Sequence, residues 1–279
     1  MIKSYCKINL SLRVINKLKN GLHNIQSNVF LINFFDEINI RKINKKNDNI
    51  IFNGRFKRPI NKKKNSISEI LNILRLNKLI KRDVKYQITV NKKIPVFSGL
   101  GGGTSNAAFI FKYFVKKKIN STILKQVEKK VGSDFKLFFY NQSHLINLQK
   151  IEKFKKKHHF YFVLVYPNVK CSTKKIYAKV KNYRYKTNTN ISKVHSRAKF
   201  IEAIKKEQND LQQIAVSKFN SLDLLINFIK ILKGCHFSRM TGSGSVCFGM
   251  FDNKKSATFA LKKIKKRFPK YWSVVTKTI

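Results

Sequence analysis

Hydrophobic and polar residues alternate from the first segment of the chain. Ile8, Leu10, Leu12 and Val14 fall on one side, and Lys7, Asn9, Ser11 and Arg13 on the other, which is the period of a strand. NKLKNGLHN then reads as a turn around Asn20 and Gly21. Apolar runs at Ile25 to Ile32 and Ile38 to Ile43 predict two further strands. Asn44 to Lys64 is polar and basic, a loop with a short strand near Ile50. Ser66 followed by Glu69 has the spacing of a capping box, and Ile67, Ile70, Leu71 and Leu74 carry helical spacing behind it. Tyr86, Ile88 and Val90 alternate as a strand. The glycine-rich PVFSGLGGGTSNAA follows and opens a helix with Ala107, Ile110, Phe111 and Phe114 inward and Lys112, Lys116 and Lys117 outward. A helix from Ser121 ends near Gly132 with Asp134 just beyond it, and Phe135 to Tyr140 predicts a strand.

The second half has a core strand at Phe160 to Val165, then a basic, aromatic loop through Tyr185. Helices are predicted over Ala198 to Phe219 and Leu222 to Leu232, the latter stopped by Gly234. In CHFSRMTGSGSVCFGMF two apolar strands flank a glycine turn. A last helix carries Ala257, Ala260, Leu261 and Ile264, and Trp272 to Val275 closes as a strand. Strands and helices mix without a regular βαβ rhythm, so the class is α+β in two lobes, 1–150 and 151–279.

Composition changes the picture in two places. The chain has 279 residues, 60 Lys+Arg against 13 Asp+Glu, and a formal charge of +47. Such a charge suits a nucleic-acid or anionic-membrane partner. It also suits a low-GC genome, because Lys, Asn, Ile, Phe and Tyr crowd the chain while Ala, Gly and Pro are scarce. The lysines are spread along the whole length, which favours drift over a binding footprint. No nucleic-acid partner is expected. No apolar run approaches the roughly 18 residues of a membrane span, so no membrane partner is expected either. Lys3 and Lys7 interrupt any signal-peptide core. Cys6, Cys171, Cys235 and Cys247 stand apart without a CxxC, which fits a reducing cytoplasm.

The strongest local signal is Gly99-Leu100-Gly101-Gly102-Gly103-Thr104-Ser105, between a predicted strand and a helix. Glycines there let backbone approach a ligand, and free N–H groups at a helix start cradle phosphate. Thr104 or Ser105 offers a cap, or a hydroxyl for a phosphate or a metal. Neither GxxxxGK[ST] nor GxGxxG is present. Thr241-Gly242-Ser243-Gly244 supplies a second glycine turn. Lys7 and Asn9 share a strand face, whose simplest reading is solvated. Asp134 sits at a helix-to-strand junction, where a lone Asp also serves as a turn residue. His23 reads as a loop histidine.

These segments together resemble the GHMP kinases, a family of small-molecule kinases. CKINL (Cys6 to Leu10), NGLH (Asn20 to His23), PVFSGLGGGTSNAA (Pro95 to Ala108), VGSDFK (Val131 to Lys136), NDLQ (Asn209 to Gln212) and RMTGSG (Arg239 to Gly244) stand in the family's order over nearly the full length. The resemblance implies an S5-like N-terminal lobe, a ferredoxin-like C-terminal lobe and an active site in the cleft between them. It implies ATP and Mg²⁺, and phosphorylation of a hydroxyl on a cytidine-diphosphate sugar alcohol. Lys7 and Asp134 match the catalytic lysine and base. Pro95 and Gly99, Leu100, Gly101, Gly102, Gly103, Thr104 and Ser105 match the ATP-phosphate segment. Asn9, His23, Tyr177, Thr241, Gly242, Ser243 and Gly244 match substrate-binding positions, with His23 bonding the cytosine and Tyr177 stacking on it.

The chain departs from the family at four places. Leu22 replaces the aromatic before the histidine, which predicts weaker cytidine binding. Lys136 replaces a proline and adds charge near Asp134. SHLINLQKIE lacks the glycine usual after that motif. Gln212 replaces a glutamate, the loss of a helix ion pair. Two other readings are another GHMP kinase with a different alcohol, and a basic nucleic-acid-binding protein on a relict kinase fold. His23 and Tyr177 oppose the first; Lys7 and Asp134 oppose the second.

Overall fold

The opening alternation becomes strand β1 (Ile2–Lys17), and the two apolar runs after the turn fuse into one long strand, β2 (His23–Ile43), paired with it. The computed structural model describes residues 1–58, 60, 61, 63–116, 120–187 and 190–279, so Lys117 lies outside the described residues. The described chain forms two compact units. One comprises Met1–Cys6, Phe34–Val96 and Gly101–Phe139, the other Lys7–Asn33, Phe97–Leu100 and Tyr140–Ile279.

In the first unit, β3 (Asn49–Asn53) pairs in parallel with β4 (Lys85–Asn91), and β4 pairs antiparallel with Glu37 to Ile43 of β2. Between β3 and β4 lies α1 (Ser66–Leu76). Its cap is Asn65, which accepts from the N–H groups of Ile67 and Ser68 while Ser68 returns the box; Glu69 takes no part in it. An Asn one residue earlier competes effectively with Ser as a cap. Helices α2 (Gly102–Phe114) and α3 (Ser121–Val131) follow, and α1 packs on both. Ile67, Ile70, Leu74, Ile110 and Phe111 are fully buried.

The predicted strand at Phe135 to Tyr140 is instead a 3₁₀ helix, Ser133–Phe139, that packs on α2. Short apolar runs carry no decisive period. Here Phe135 and Phe138, three apart, are both fully buried, as a 3₁₀ turn requires.

In the second unit, Ser27 to Phe30 of β2 pair antiparallel with β5 (Gln142–Leu145), and β5 with β6 (Ile151–Lys153). The core strand is β7 (Tyr161–Tyr166), and the basic loop after it contains a short helix, α4 (Thr173–Tyr177). The predicted helix over 198–219 is two helices, α5 (Arg197–Lys206) and α6 (Asp210–Val216), because Asn209 caps a new start. Next come α7 (Asn220–Lys230), β8 (Cys235–Met240), β9 (Cys247–Phe251), α8 (Lys254–Arg267) and β10 (Trp272–Lys277). The sheet order is β10-β7-β9-β8, antiparallel throughout. With α7 and α8 packed on these strands, β7-α7-β8-β9-α8-β10 is the ferredoxin-like arrangement. The glycine turn joins the edge strand β8 to β9.

Candidate functional site

Lys7 and Asn9 do not face solvent. They are 3% and 2% exposed, as deeply placed as the apolar residues that alternate with them. A buried ammonium needs polar company. Lys7 Nζ donates to Asn9 Oδ1, and Asn9 Nδ2 donates to Ser27 Oγ at 2.8 Å. Asn9 N donates to Thr241 Oγ1 at 2.9 Å. The 98–100 backbone is laced into the same place: Lys7 N donates to the Leu100 carbonyl at 3.1 Å and Val246 N to the Ser98 carbonyl at 3.0 Å. Gly242 lies against this group with φ +55°. A Cβ there would stand 3.3 Å from Lys7 Nζ and 3.2 Å from both Asn9 Oδ1 and the Gly99 carbonyl. Glycine therefore leaves the ammonium its space. Thr241 N closes the turn on the Val246 carbonyl at 2.9 Å, and Ser243 Oγ meets Thr173 Oγ1 at 2.8 Å.

The NDLQ segment holds this turn from behind. Asn209 Nδ2 donates to the carbonyls of Met240 (2.7 Å) and Gly242 (2.8 Å), while its Oδ1 caps α6. Gln212 is not a mere lost ion pair, since its Oε1 accepts from Met240 N at 2.9 Å. Arg239, which heads the RMTGSG motif but carries no role expected from sequence, is 6% exposed and donates to the carbonyls of Leu10 (2.7 Å) and Lys205 (3.0 Å). Burial lowers its pKa to about 10. It ties β1 to the strand that leads into the turn. Asn209→Ala should cost about 2–4 kcal/mol, from two buried carbonyls left without donors and a lost cap. Urea unfolding measures this.

The rest of the glycine loop, from Gly101, belongs to the first unit. The N–H groups of Gly102, Gly103 and Thr104 precede the helical ladder, which begins with Ser105 N donating to the Gly101 carbonyl at 2.8 Å. Ser66 Oγ donates to the Gly103 carbonyl at 2.8 Å and steadies the loop. The two hydroxyls of the loop differ. Ser105 is fully buried, its Oγ 2.7 Å from Ser4 Oγ and donating to the Tyr5 carbonyl. Thr104 is half-buried. Pro95 is buried ahead of the loop.

Asp134 opens the 3₁₀ helix and is half-buried. Gly132, just before it, lies beside α2, where an added Cβ would stand 3.3 Å from Thr104 Oγ1. Lys136 spends its charge elsewhere, on Glu128 at 3.0 Å. Another carboxylate, Asp36, is fully buried; it pairs with Lys92 and accepts from the N–H groups of Lys93 (2.8 Å) and Ile94 (2.9 Å). Its neighbours in sequence gave no sign of this. Among the described residues, no group of three His, Cys, Asp or Glu could hold a metal ion.

In the second unit, His23 and Tyr177 come together with ring centroids 5.1 Å apart, tilted by 32°. Tyr183, which the sequence reading did not single out, lies 6.3 Å from His23 at 33° and is 43% exposed. Leu22 is 49% exposed. Burial first, and Lys17 second, hold the His23 imidazolium below its ordinary pKa of 6.5.

Residues 191–270 match the family model for the C-terminal domain of GHMP kinases. The chain is 38% identical to a 4-diphosphocytidyl-2-C-methyl-D-erythritol kinase of Pelagibacter ubique, over 100% of this chain and 98% of the relative. It is 30% identical to the kinase of the same name from Wolbachia pipientis, over the full length of both. A crystal structure of 4-(cytidine 5'-diphospho)-2C-methyl-D-erythritol kinase superposes with a TM-score of 0.71 at 18% identity, covering 98% of each chain.

Proposed function

The chain belongs to the 4-diphosphocytidyl-2-C-methyl-D-erythritol kinases within the GHMP family, and we propose that it phosphorylates the 2-hydroxyl of that alcohol with Asp134 as base, Lys7 as fixed charge and the Gly99–Ser105 loop as phosphate cradle. It is an ATP-dependent small-molecule kinase of the non-mevalonate route to isoprenoid precursors. The observation that carries the assignment of roles is the buried Lys7 ammonium, left uncrowded by Gly242 and flanked by Asn9 and the 98–100 backbone.

Phosphoryl transfer depends on positioning and charge neutralisation. The free N–H groups at the start of α2 and the Thr104 hydroxyl hold the ATP phosphates; Ser105, turned inward, holds the loop. Lys7 steadies charge on the transferring group. Asp134 accepts the hydroxyl proton as the oxygen attacks. Asn9 and the Thr241–Gly244 turn position the alcohol. The donor set fits Mg²⁺ carried in by ATP: magnesium keeps waters and phosphate oxygens and needs only one or two protein oxygens, one of which Thr104 would provide. The ion would neutralise phosphate charge.

The base of the substrate is read by the aromatic group. Neutral His23 hydrogen-bonds the cytosine edge, and Tyr177 and Tyr183 offer ring faces worth about 1–3 kcal/mol per stacked base. Tyr183 stands in for the aromatic that Leu22 replaces. Tyr183→Ala should raise KM for the cytidine substrate about tenfold, and Leu22→Tyr should lower it; steady-state kinetics at saturating ATP reads both.

The His23 shift fixes a pH dependence. Its folded pKa is lowered, so the folded state holds the proton less well than the unfolded chain. The associated stability is present above pH 6.5 and is lost as pH falls through the folded value. KM for the cytidine substrate should stay flat from neutrality through pH 6.5 and rise only as pH falls to the lowered folded value. The His23→Gln variant should lack that acid limb.

Cys171, Cys235 and Cys247 are free thiols, which suits a reducing cytoplasm. No helix among the described residues is long and apolar enough to cross a membrane. Thermal melts with ATP–Mg²⁺, with the diphosphocytidyl alcohol and with single-stranded RNA test the reading. The first two should each raise Tm. Stabilisation by RNA alone would favour a nucleic-acid-binding protein on the same fold.

A further inference from the structure

Lys112 should point outward from α2 by its place in the sequence pattern. Instead it is half-buried and turned toward the 3₁₀ helix that begins with Ser133 and Asp134. Its Nζ donates to the Phe138 carbonyl, at the far end of that helix. The ammonium stands 4.5 Å from the centroid of the Phe109 ring and 4.9 Å from that of Phe139. Burial pushes its pKa down to about 8. Around it, Phe111 meets Phe135 edge-on at 5.5 Å and Phe139 at 6.5 Å, so α2 grips the short helix on an aromatic face.

A 3₁₀ helix of seven residues is long for its kind, and its last carbonyls have no partner within it. A cation at that end satisfies a carbonyl and matches the helix dipole. Packing alone would favour an uncharged chain at this place, because burying a lysine costs both solvation and side-chain entropy.

We propose that Lys112 is a positioning residue for the proton-accepting carboxylate: by capping Phe138 it fixes the rotation and register of the helix that carries Asp134 at its other end. The proposal rests on Asp134 as the base. It requires no contact of Lys112 with either substrate.

The test compares Lys112→Met, which keeps an unbranched chain one atom shorter that still packs on the rings but loses the donor and charge, with Lys112→Arg, which keeps both. In Lys112→Met, kcat should fall about tenfold with KM for ATP and for the alcohol within about twofold, since small misplacement of a reacting group costs rate more than binding. Lys112→Arg should recover most of the loss. If the Met variant fails to fold by circular dichroism, Lys112→Gln takes its place under the same expectations. An unchanged kcat in a folded Met or Gln variant would overturn the proposal, as would an Arg variant no better than Met, or a KM that rises in step with the loss of kcat. The base assignment is separated by Asp134→Asn. In that background, adding Lys112→Met should lower kcat no further. Near-normal turnover of Asp134→Asn would remove both claims, whereas an inactive Asp134→Asn beside a normal Lys112→Met would remove this one alone.

Discussion

Asp134→Asn should lower kcat by about 10²–10⁴-fold while leaving ATP binding intact. The amide has the size of the carboxylate but cannot take up the hydroxyl proton. In the proposed mechanism the phosphates, by contrast, are held chiefly by backbone at the start of α2, which the substitution does not touch. Nor does Lys136 compensate, since it is paired with Glu128. Single-turnover kinetics with a parallel nucleotide titration separates the two quantities. A variant whose turnover stays within about threefold of the parent would remove Asp134 as the base.

The second large effect is structural. Gly99→Ala would bring a Cβ to 2.1 Å from the Thr241 carbonyl oxygen and 3.1 Å from Gly244 N, at a φ of +78°. The left-handed conformation alone costs a side chain roughly 1–2 kcal/mol. The clash is with the backbone of the Thr241–Gly244 turn, which must move. That turn holds Asn9 through the Thr241 hydroxyl and frames Lys7 through Gly242. Stability should fall by about 3 kcal/mol or more, and kcat by about a hundredfold. Gly103→Ala is the contrast, because its Cβ would make only an ordinary 3.5 Å contact with Ser66 Oγ. It should unfold at nearly the parent's urea midpoint. Equal destabilisation of the two variants would contradict the backbone-approach account.

Periodicity and punctuation carried much of the fold. The β1 alternation, the α1 stripe, the Gly132 stop and the β8–turn–β9 hairpin are all written in residue spacing and appear as such. What spacing does not carry is contact across the chain. Phe135 to Tyr140 has a strand's composition, and only packing against Phe111 selects a helical turn. Lys112 occupies an outward position on a helical wheel, yet a lysine long enough to reach a carbonyl can turn back. The alternation around Lys7 and Asn9 is that of a strand with one wet face; burial of both faces depends on segments more than 200 residues away in sequence, such as Thr241. Tyr183 sits in a polar, basic stretch that has no motif, and only its approach to His23 marks it. The +47 charge, the loudest feature of the composition, says little about the site. The informative charges are the few whose partners are fixed: Lys7 on Asn9, Lys112 on Phe138, Arg239 on Leu10.

The most direct measurement is ADP formation from ATP–Mg²⁺ with the diphosphocytidyl alcohol, run beside mevalonate and homoserine at equal concentration. Turnover with the cytidine substrate, lost in Asp134→Asn and absent with the other two, is the predicted result. Turnover with mevalonate or homoserine, and none with the cytidine substrate, would contradict it.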